Sequence, residues 1–308
     1  MCSIDELTAA RPAKYMKLQE FKSIVDQLPF LRAVNLTGIG ESLLNTSLFK
    51  IIGYCAGRRL HTDVVTNGML LDSKRGESLI RSGLSNLNVS MDSVNPETFR
   101  EIRVKADLET VSENVKNFIG LRNSLGFKAP TVHVIIVASK KNKNELADIL
   151  QHAYDLGAEG AYMRIFNPYH NTEMEIPAGD TDYYAVAMEK ARNLRHAPRP
   201  FSTGMAFSSD KGSLCEWPWT MTYITVEGDV TPCCVVCDAR KLSFGNVNNE
   251  PFVKIWNNPA YRDFRRAISH GVPRVCETCE VMRLSLRGKN RQERGQTTDL
   301  FKPTANLF

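Results

Sequence analysis

The sequence predicts an α/β fold: a parallel sheet, open or closed into a barrel, followed by a small cysteine-rich α+β domain. Three observations carry this. Short apolar strand candidates alternate with helical patterns over about two hundred residues. Strands joined through helical crossovers pair in parallel. Six of the eight cysteines of this 308-residue chain fall in its last third.

The pattern opens with a helix, Tyr15 to Leu28, before any strand. An α/β sheet normally opens on a strand, so this helix is expected either to pack as a cap or to mark a first strand missing from the sequence, which would leave an open edge. Buried strands follow at Ala33 to Thr37, Asp63 to Thr66, Asn86 to Met91, Val132 to Ala138 and Ala161 to Phe166, each short, apolar and rich in β-branched residues. Between them, Leu108 to Leu125 places Val111, Val115, Phe118 and Ile119 at near-helical spacing, and Asn144 to Leu156 repeats the pattern. Cys55 sits in another apolar helical stretch and reads as a packed core thiol. In the last third, Met221 to Pro232 reads as a hairpin turning at Gly228-Asp229, and Pro251 to Ile268 as a helix.

Composition narrows the function. The formal charge of +5 is scattered apart from Arg283, Arg287, Lys289, Arg291 and Arg294, which read as a solvated tail, and no basic and aromatic repeat suggests nucleic-acid binding. No stretch approaches the ~18 apolar residues of a membrane span, and the first residues lack a targeting pattern. A cytoplasmic protein is expected. In that compartment clustered cysteines read as ligands of a metal or an iron–sulfur cluster rather than as disulfides.

Two groups of residues carry chemistry. Polar groups stand at the carboxyl ends of the predicted strands, where ligands bind in barrels and open sheets alike: Thr37-Gly38-Ile39-Gly40-Glu41, Thr66-Asn67-Gly68, and Ser90 with Asp92. The second group is Cys215, Gly228, Cys233, Cys234, Cys237 and the pair Cys276 and Cys279, with twelve residues between Cys215 and Gly228 and four between Gly228 and Cys233. Two x-x pairs also suit tetrahedral zinc, which stays open on the residues alone.

The ordered set resembles the radical S-adenosylmethionine (SAM) enzymes that carry a C-terminal SPASM or shorter twitch extension. That resemblance implies an incomplete (β/α) barrel and an α+β iron–sulfur domain, divided as residues 1–200 for the core, 201–285 for the SPASM/twitch domain and 286–308 for a polar tail. It implies one auxiliary 4Fe-4S cluster on Cys215, Cys233, Cys276 and Cys279, since the single late pair matches the reduced, one-cluster form. An exchanged set using Cys234 or Cys237 stays open. Gly38, Gly40 and Glu41 would receive the methionine amino group of S-adenosyl-L-methionine, with Ser42 departing from the proline usual there. Ser90 and Asp92 would bind its ribose or carboxylate, against a plain strand-end capping role. Thr66 and Asn67 would line the same pocket or merely shape a turn. Arg103 and Arg164 are candidate carboxylate anchors, and His133 reads as a residue within its strand.

The family's catalytic cluster uses a Cys-x-x-x-Cys-x-x-Cys loop after the first strand. Cys2 stands where the third cysteine belongs, while the first two and their strand are absent from the sequence as given. The expectation is a shortened chain, inactive as written, holding a second 4Fe-4S cluster only with a complete N-terminus. The implied activity is formation of a 5′-deoxyadenosyl radical that oxidises or modifies a small molecule or peptide, with flavodoxin or ferredoxin as electron donor. The alternative is a non-catalytic iron–sulfur or zinc protein.

Overall fold

The computed structural model describes residues 14–166, 172–177, 180, 182–199, 201–205, 215–277, 279 and 282. These fall into two compact units, one holding residues 31–205 and the other joining residues 14–30 to those from 215 onward. The first described helix, α1 (Leu18–Val25), belongs to the second unit.

The first unit is built on one six-stranded sheet: β1 (Ala33–Asn35), β2 (His61–Thr66), β3 (Asn86–Ser90), β4 (Thr131–Ala138), β5 (Gly160–Ile165) and β6 (Ser202–Met205). Spatial order follows sequence order, and every neighbouring pair is parallel. Right-handed crossovers between strands in that order place the connecting helices on one face, so the sheet is a partial barrel rather than a doubly wound one. The helices are α2 (Leu48–Gly57), α3 (Ser73–Arg81), α4 (Pro96–Ile102), α5 (Leu108–Ser124), α6 (Leu146–Asp155) and α7 (Asp182–Arg195).

Strand alternation sets the two faces of this sheet. Val64, Leu87, Val89, Val132, Val134, Ile136, Ala161 and Met163 enter the core against Val111, Val115, Phe118, Ile149 and Leu150 of α5 and α6. The alternate positions, among them Asp63, Asn88, Ser90, His133 and Tyr162, share the opposite face. The core face thus carries the buried apolar positions of β2 to β5, and the opposite face mixes Asp63, Asn88, Ser90, His133 and Tyr162 with Val65, Ile135 and Val137.

All five predicted strands are present, shifted by a residue or two. The sixth, β6, was not anticipated, because Ser202-Thr203-Gly204-Met205 has too little apolar alternation to read as a strand. Its pairing with β5 supplies what its side chains do not.

In the second unit, α1 buries Phe21, Ile24 and Val25, and Ile24 packs with Val230, Phe244, Val247, Ile255 and Tyr261. Gln27 ties the chain after this helix to the same core. Its amide donates to the Val247 carbonyl at 3.3 Å, and its oxygen accepts from Phe252 N at 2.9 Å. The helix seen first in the sequence therefore packs on elements more than two hundred residues later.

Further along come α8 (Trp217–Thr220), the antiparallel strands β7 (Tyr223–Ile224) and β8 (Val230–Thr231), α9 (Phe252–Trp256) and α10 (Pro259–His270). The hairpin turns as predicted at Gly228, whose φ of +92° favours glycine and whose absent Cβ would stand 2.4 Å from the Asn248 side chain. The predicted helix from Pro251 to Ile268 is two helices. Asn258 accepts from Tyr261 N at 2.8 Å as an N-cap with Pro259 at the first helical position, a pairing that starts a new helix rather than continuing the old one.

Candidate functional site

The carboxyl ends of β1 and β2 are joined by one side chain. Glu41 follows the loop after β1 and caps the short turn Ser42–Leu44, with Oε1 accepting from Leu43 N at 3.0 Å. The same carboxylate takes the Thr66 hydroxyl at 2.7 Å and the Asn67 N–H at 2.8 Å. The structure therefore gathers Glu41, Thr66 and Asn67, three residues of the predicted pocket, with Glu41 as the clamp. Thr66 Oγ1 also accepts from Gly68 N at 3.1 Å, and Asn67 Oδ1 from Met69 N at 3.0 Å, so both shape the turn.

The glycines of these loops serve the backbone. Gly40 has φ +110° and Gly68 φ +80°. A Cβ on Gly68 would come within 2.8 Å of Val111 and 3.2 Å of Val89. Gly38, two residues before Gly40, is exposed. Thr37, at the head of this loop, holds its hydroxyl buried with no hydrogen-bond partner among the described residues.

Ser90 ends β3, buried and opposite Ile135. Asp92 is fully buried and already engaged, with Arg103 Nε at 2.6 Å on Oδ2 and Val137 N at 2.7 Å on Oδ1. Asn142 completes the junction by donating to the Asp92 carbonyl at 2.6 Å and the Val137 carbonyl at 3.0 Å. Sequence reasoning did not find Asn142, because its role depends on a contact fifty residues away. Arg103 serves Asp92 here.

His133 lies in β4 on the sheet's polar face, its ring centroid 5.0 Å from that of Tyr162. Gly160 leaves room for it, since a Cβ there would stand 2.9 Å from His133 Cδ2 and 2.2 Å from Ser202 Oγ. Burial pulls the His133 imidazole below its ordinary value, with Glu159 and Asp63 opposing. Cys55 is fully buried in α2 and pushed up to about 11 by that burial, as a packed thiol should be.

The second unit carries the thiols. Cys215 precedes α8, Cys233 follows β8, Cys276 ends the turn Arg274–Cys276, and Cys279 follows it. Cys276 and Cys279 form an apolar cluster with Ile268 and Met282, against which Cys215, Val235 and Phe264 pack. Burial pushes the Cys276 thiol up to about 12, with Cys279 and Cys215 adding to it. Burial also raises Cys215, which feels Cys279 and Glu216, while the Trp217 N–H opposes. Cys233 is raised likewise by burial, with Cys234 and Cys279 adding and the N–H groups of Val236 and Val235 opposing. Cys279 thus packs with Cys276 and Cys215, and its charge reaches Cys233.

Among the described residues no three His, Cys, Asp or Glu side chains meet as a single-ion site. Cys215, Cys276 and Cys279 share one apolar cluster without being gathered on one ion, and Cys233 is half-buried. Sulfurs packed in an apolar shell do not ionise together without a compensating cation, and iron binds the thiolate. This donor set fits a four-iron cluster, which four cysteines hold. Cys234 and Cys237 are half-buried. Cys2 lies outside the described residues.

A partial barrel with polar loops at its carboxyl ends, carried in one chain with clustered cysteines, defines an iron–sulfur protein of the barrel class. The radical SAM superfamily model matches residues 1–153 and the SPASM iron–sulfur cluster-binding domain model residues 215–280. The chain belongs to the radical SAM superfamily and carries a SPASM domain. It is 22% identical to the PqqA peptide cyclase of Granulibacter bethesdensis, over 97% of this chain and 80% of that one. It is also 22% identical to the tungsten-containing aldehyde ferredoxin oxidoreductase cofactor-modifying protein of Pyrococcus furiosus, over 83% of this chain and 76% of that one. Among solved structures, Streptococcus suis SuiB bound to its precursor peptide SuiA superposes with a TM-score of 0.69 at 12% identity, covering 92% of this chain and 67% of that one. Among the described residues no helix is long and apolar enough to cross a membrane.

Proposed function

We propose that this chain is a radical SAM enzyme that modifies a peptide or small molecule, with one auxiliary four-iron cluster held by Cys215, Cys233, Cys276 and Cys279. The observation that carries the reading is the packing of Cys215, Cys276 and Cys279 in one apolar cluster within the matched SPASM region. A peptide substrate is favoured because two of the similar proteins, a PqqA peptide cyclase and the SuiA-bound SuiB, are named for peptides.

S-adenosylmethionine would sit on the loops at Gly38, Gly40 and Glu41, beside Thr66, Asn67, Ser90 and Asp92. Glu41 and Asp92 would act there by fixing the loops, since both carboxylates already hold protein partners. When bound, a reducible iron–sulfur cluster next to S-adenosylmethionine supplies the one-electron chemistry of the superfamily. Two further cysteines ahead of Cys2 would complete the ligand set of that catalytic cluster. We assign residues 1–200 to the catalytic core, with the helix α1 inside that span packing in the thiol-bearing unit, 201–285 to the auxiliary domain and 286–308 to a polar tail. The setting would be cytoplasmic, where thiols stay reduced, with flavodoxin or ferredoxin as electron donor.

The test is anaerobic cluster reconstitution followed by an assay for 5′-deoxyadenosine with reductant and S-adenosylmethionine. It is made on the chain as given and on one extended by a Cys-x-x-x-Cys-x-x segment ahead of Cys2. Deoxyadenosine from the extended chain supports the reading. A cluster-loaded extended chain that never yields it contradicts the reading.

A further inference from the structure

One register row crosses the face of the sheet opposite the core: Val65 in β2, Asn88 in β3, His133 in β4, Gly160 in β5 and Ser202 in β6. Asn88 and His133 are direct neighbours in this row and are 9% and 7% exposed. Among the described residues no hydrogen bond reaches the Asn88 side-chain amide or the His133 imidazole. What meets His133 is the Tyr162 ring, 5.0 Å away, and the charges of Glu159 and Asp63.

Buried polar side chains are nearly always hydrogen-bonded, because an unpaired donor or acceptor keeps its full desolvation cost. Here two of them stand side by side on one face, and neither is bonded to the protein. Such a pair costs the fold stability when alone and is satisfied by a guest that bonds to both.

What the pair offers sets the chemistry of that guest. Asn88 carries an acceptor oxygen and an amide donor. Burial pulls the His133 imidazole below its ordinary value, so at neutral pH the ring has one donor and one acceptor. The two carboxylates that His133 feels are already engaged, Glu159 with Arg122 at 2.9 Å and Asp63 with Asn86 at 2.9 Å. A neutral group with both N–H and C=O matches this pair, and an ion does not. Val65 and Gly160, on either side in the row, add no polar side chain. Asn88 precedes Ser90 by two residues on the same face, which is about 7 Å at the usual rise of a strand.

We propose that Asn88 and His133 form a binding site for an amide group, holding a main-chain or carboxamide portion of the substrate against this face of the sheet, one step along β3 from the S-adenosylmethionine position at Ser90. This deepens the proposed function and rests on it for the identity of the guest as substrate.

The test is nuclear magnetic resonance of the full chain labelled with 13C-histidine, titrated with acetamide, N-methylacetamide, acetate and methylammonium. The His133 signal is identified by its loss in His133→Phe, and the urea midpoint is measured for each variant. An amide is expected to move the His133 signal saturably, and Asn88→Leu to weaken that response about tenfold, the worth of about one hydrogen bond. Asn88→Leu should also keep or raise the urea midpoint, since it removes a polar group buried without a partner. Stronger binding of N-methylacetamide points to a main-chain amide as the guest, and stronger binding of acetamide to a side-chain carboxamide. The proposal is overturned if neither amide gives a saturable shift, if acetate or methylammonium acts at the same concentration or below, or if Asn88→Leu responds like the unsubstituted chain. A lowered midpoint or a failure to fold in Asn88→Leu overturns it as well, because Asn88 would then serve the fold. None of these readouts needs a cluster, so their failure is distinct from a failure to form 5′-deoxyadenosine, which would strike the radical reading instead.

Discussion

Arg103 Nε donates to Asp92 Oδ2 at 2.6 Å, and the carboxylate it meets is fully buried. The pair fastens the loop after β3 to the segment following α4, while Val137 N holds the other oxygen. Removing the guanidinium leaves a buried charge with no counter-ion. Arg103→Met should therefore cost about 3 kcal/mol, in the range for breaking a buried pair. Urea denaturation would read this as a lower midpoint, and a cost below about 1 kcal/mol would mean that solvent already compensates Asp92.

Glu41 gives a second prediction. Its carboxylate accepts from Leu43 N, Thr66 Oγ1 and Asn67 N, so Glu41→Gln loses at least one acceptor in a network that joins two strand ends. The expected loss is about 1–3 kcal/mol, the worth of hydrogen bonds to a charged group. Hydrogen exchange should show faster exchange at Leu43 and Asn67 with little change at Val132 and Val134 in the centre of β4. Uniform exchange across all four amides would contradict a local clamp.

These two carboxylates also show what the sequence could and could not say. The strands were legible because they are short apolar runs rich in β-branched residues, and the SPASM region because the spacing of its cysteines is fixed in sequence. Glu41 and Asp92 were legible as residues at strand ends, but not as clamps, since their partners lie from two to forty-five residues away and no local pattern names them. The break at Asn258-Pro259 was written plainly as a cap followed by proline, yet the apolar spacing on both sides reads as one helix. Strand β6 and Asn142 were hidden for a common reason, because the partner decides the role and the side chain alone does not.

Acid should weaken the fold through one buried and one half-buried histidine, His133 and His152. Burial pulls both His133 and His152 below the ordinary imidazole value of 6.5. Below about pH 6.5 the unfolded chain takes up protons that the folded chain refuses, so stability present above that pH is lost as pH falls toward the folded values. His133→Asn removes one of the two contributions. Thermal unfolding followed between pH 7.5 and 5.5 should show a shallower loss in this variant than in the unsubstituted chain, and an unchanged slope would mean that His133 is already exposed to solvent.

The central claim is that one set of four thiols, and not its neighbours, holds the auxiliary cluster. The measurement that tests it most directly is the iron and sulfide content of the anaerobically reconstituted chain beside two double variants, Cys215→Ser with Cys276→Ser and Cys234→Ser with Cys237→Ser. The account predicts that the second variant keeps the same iron as the unsubstituted chain, about four per molecule as a four-thiolate cluster requires, and that the first keeps almost none. Iron lost from the second variant and retained in the first would contradict it.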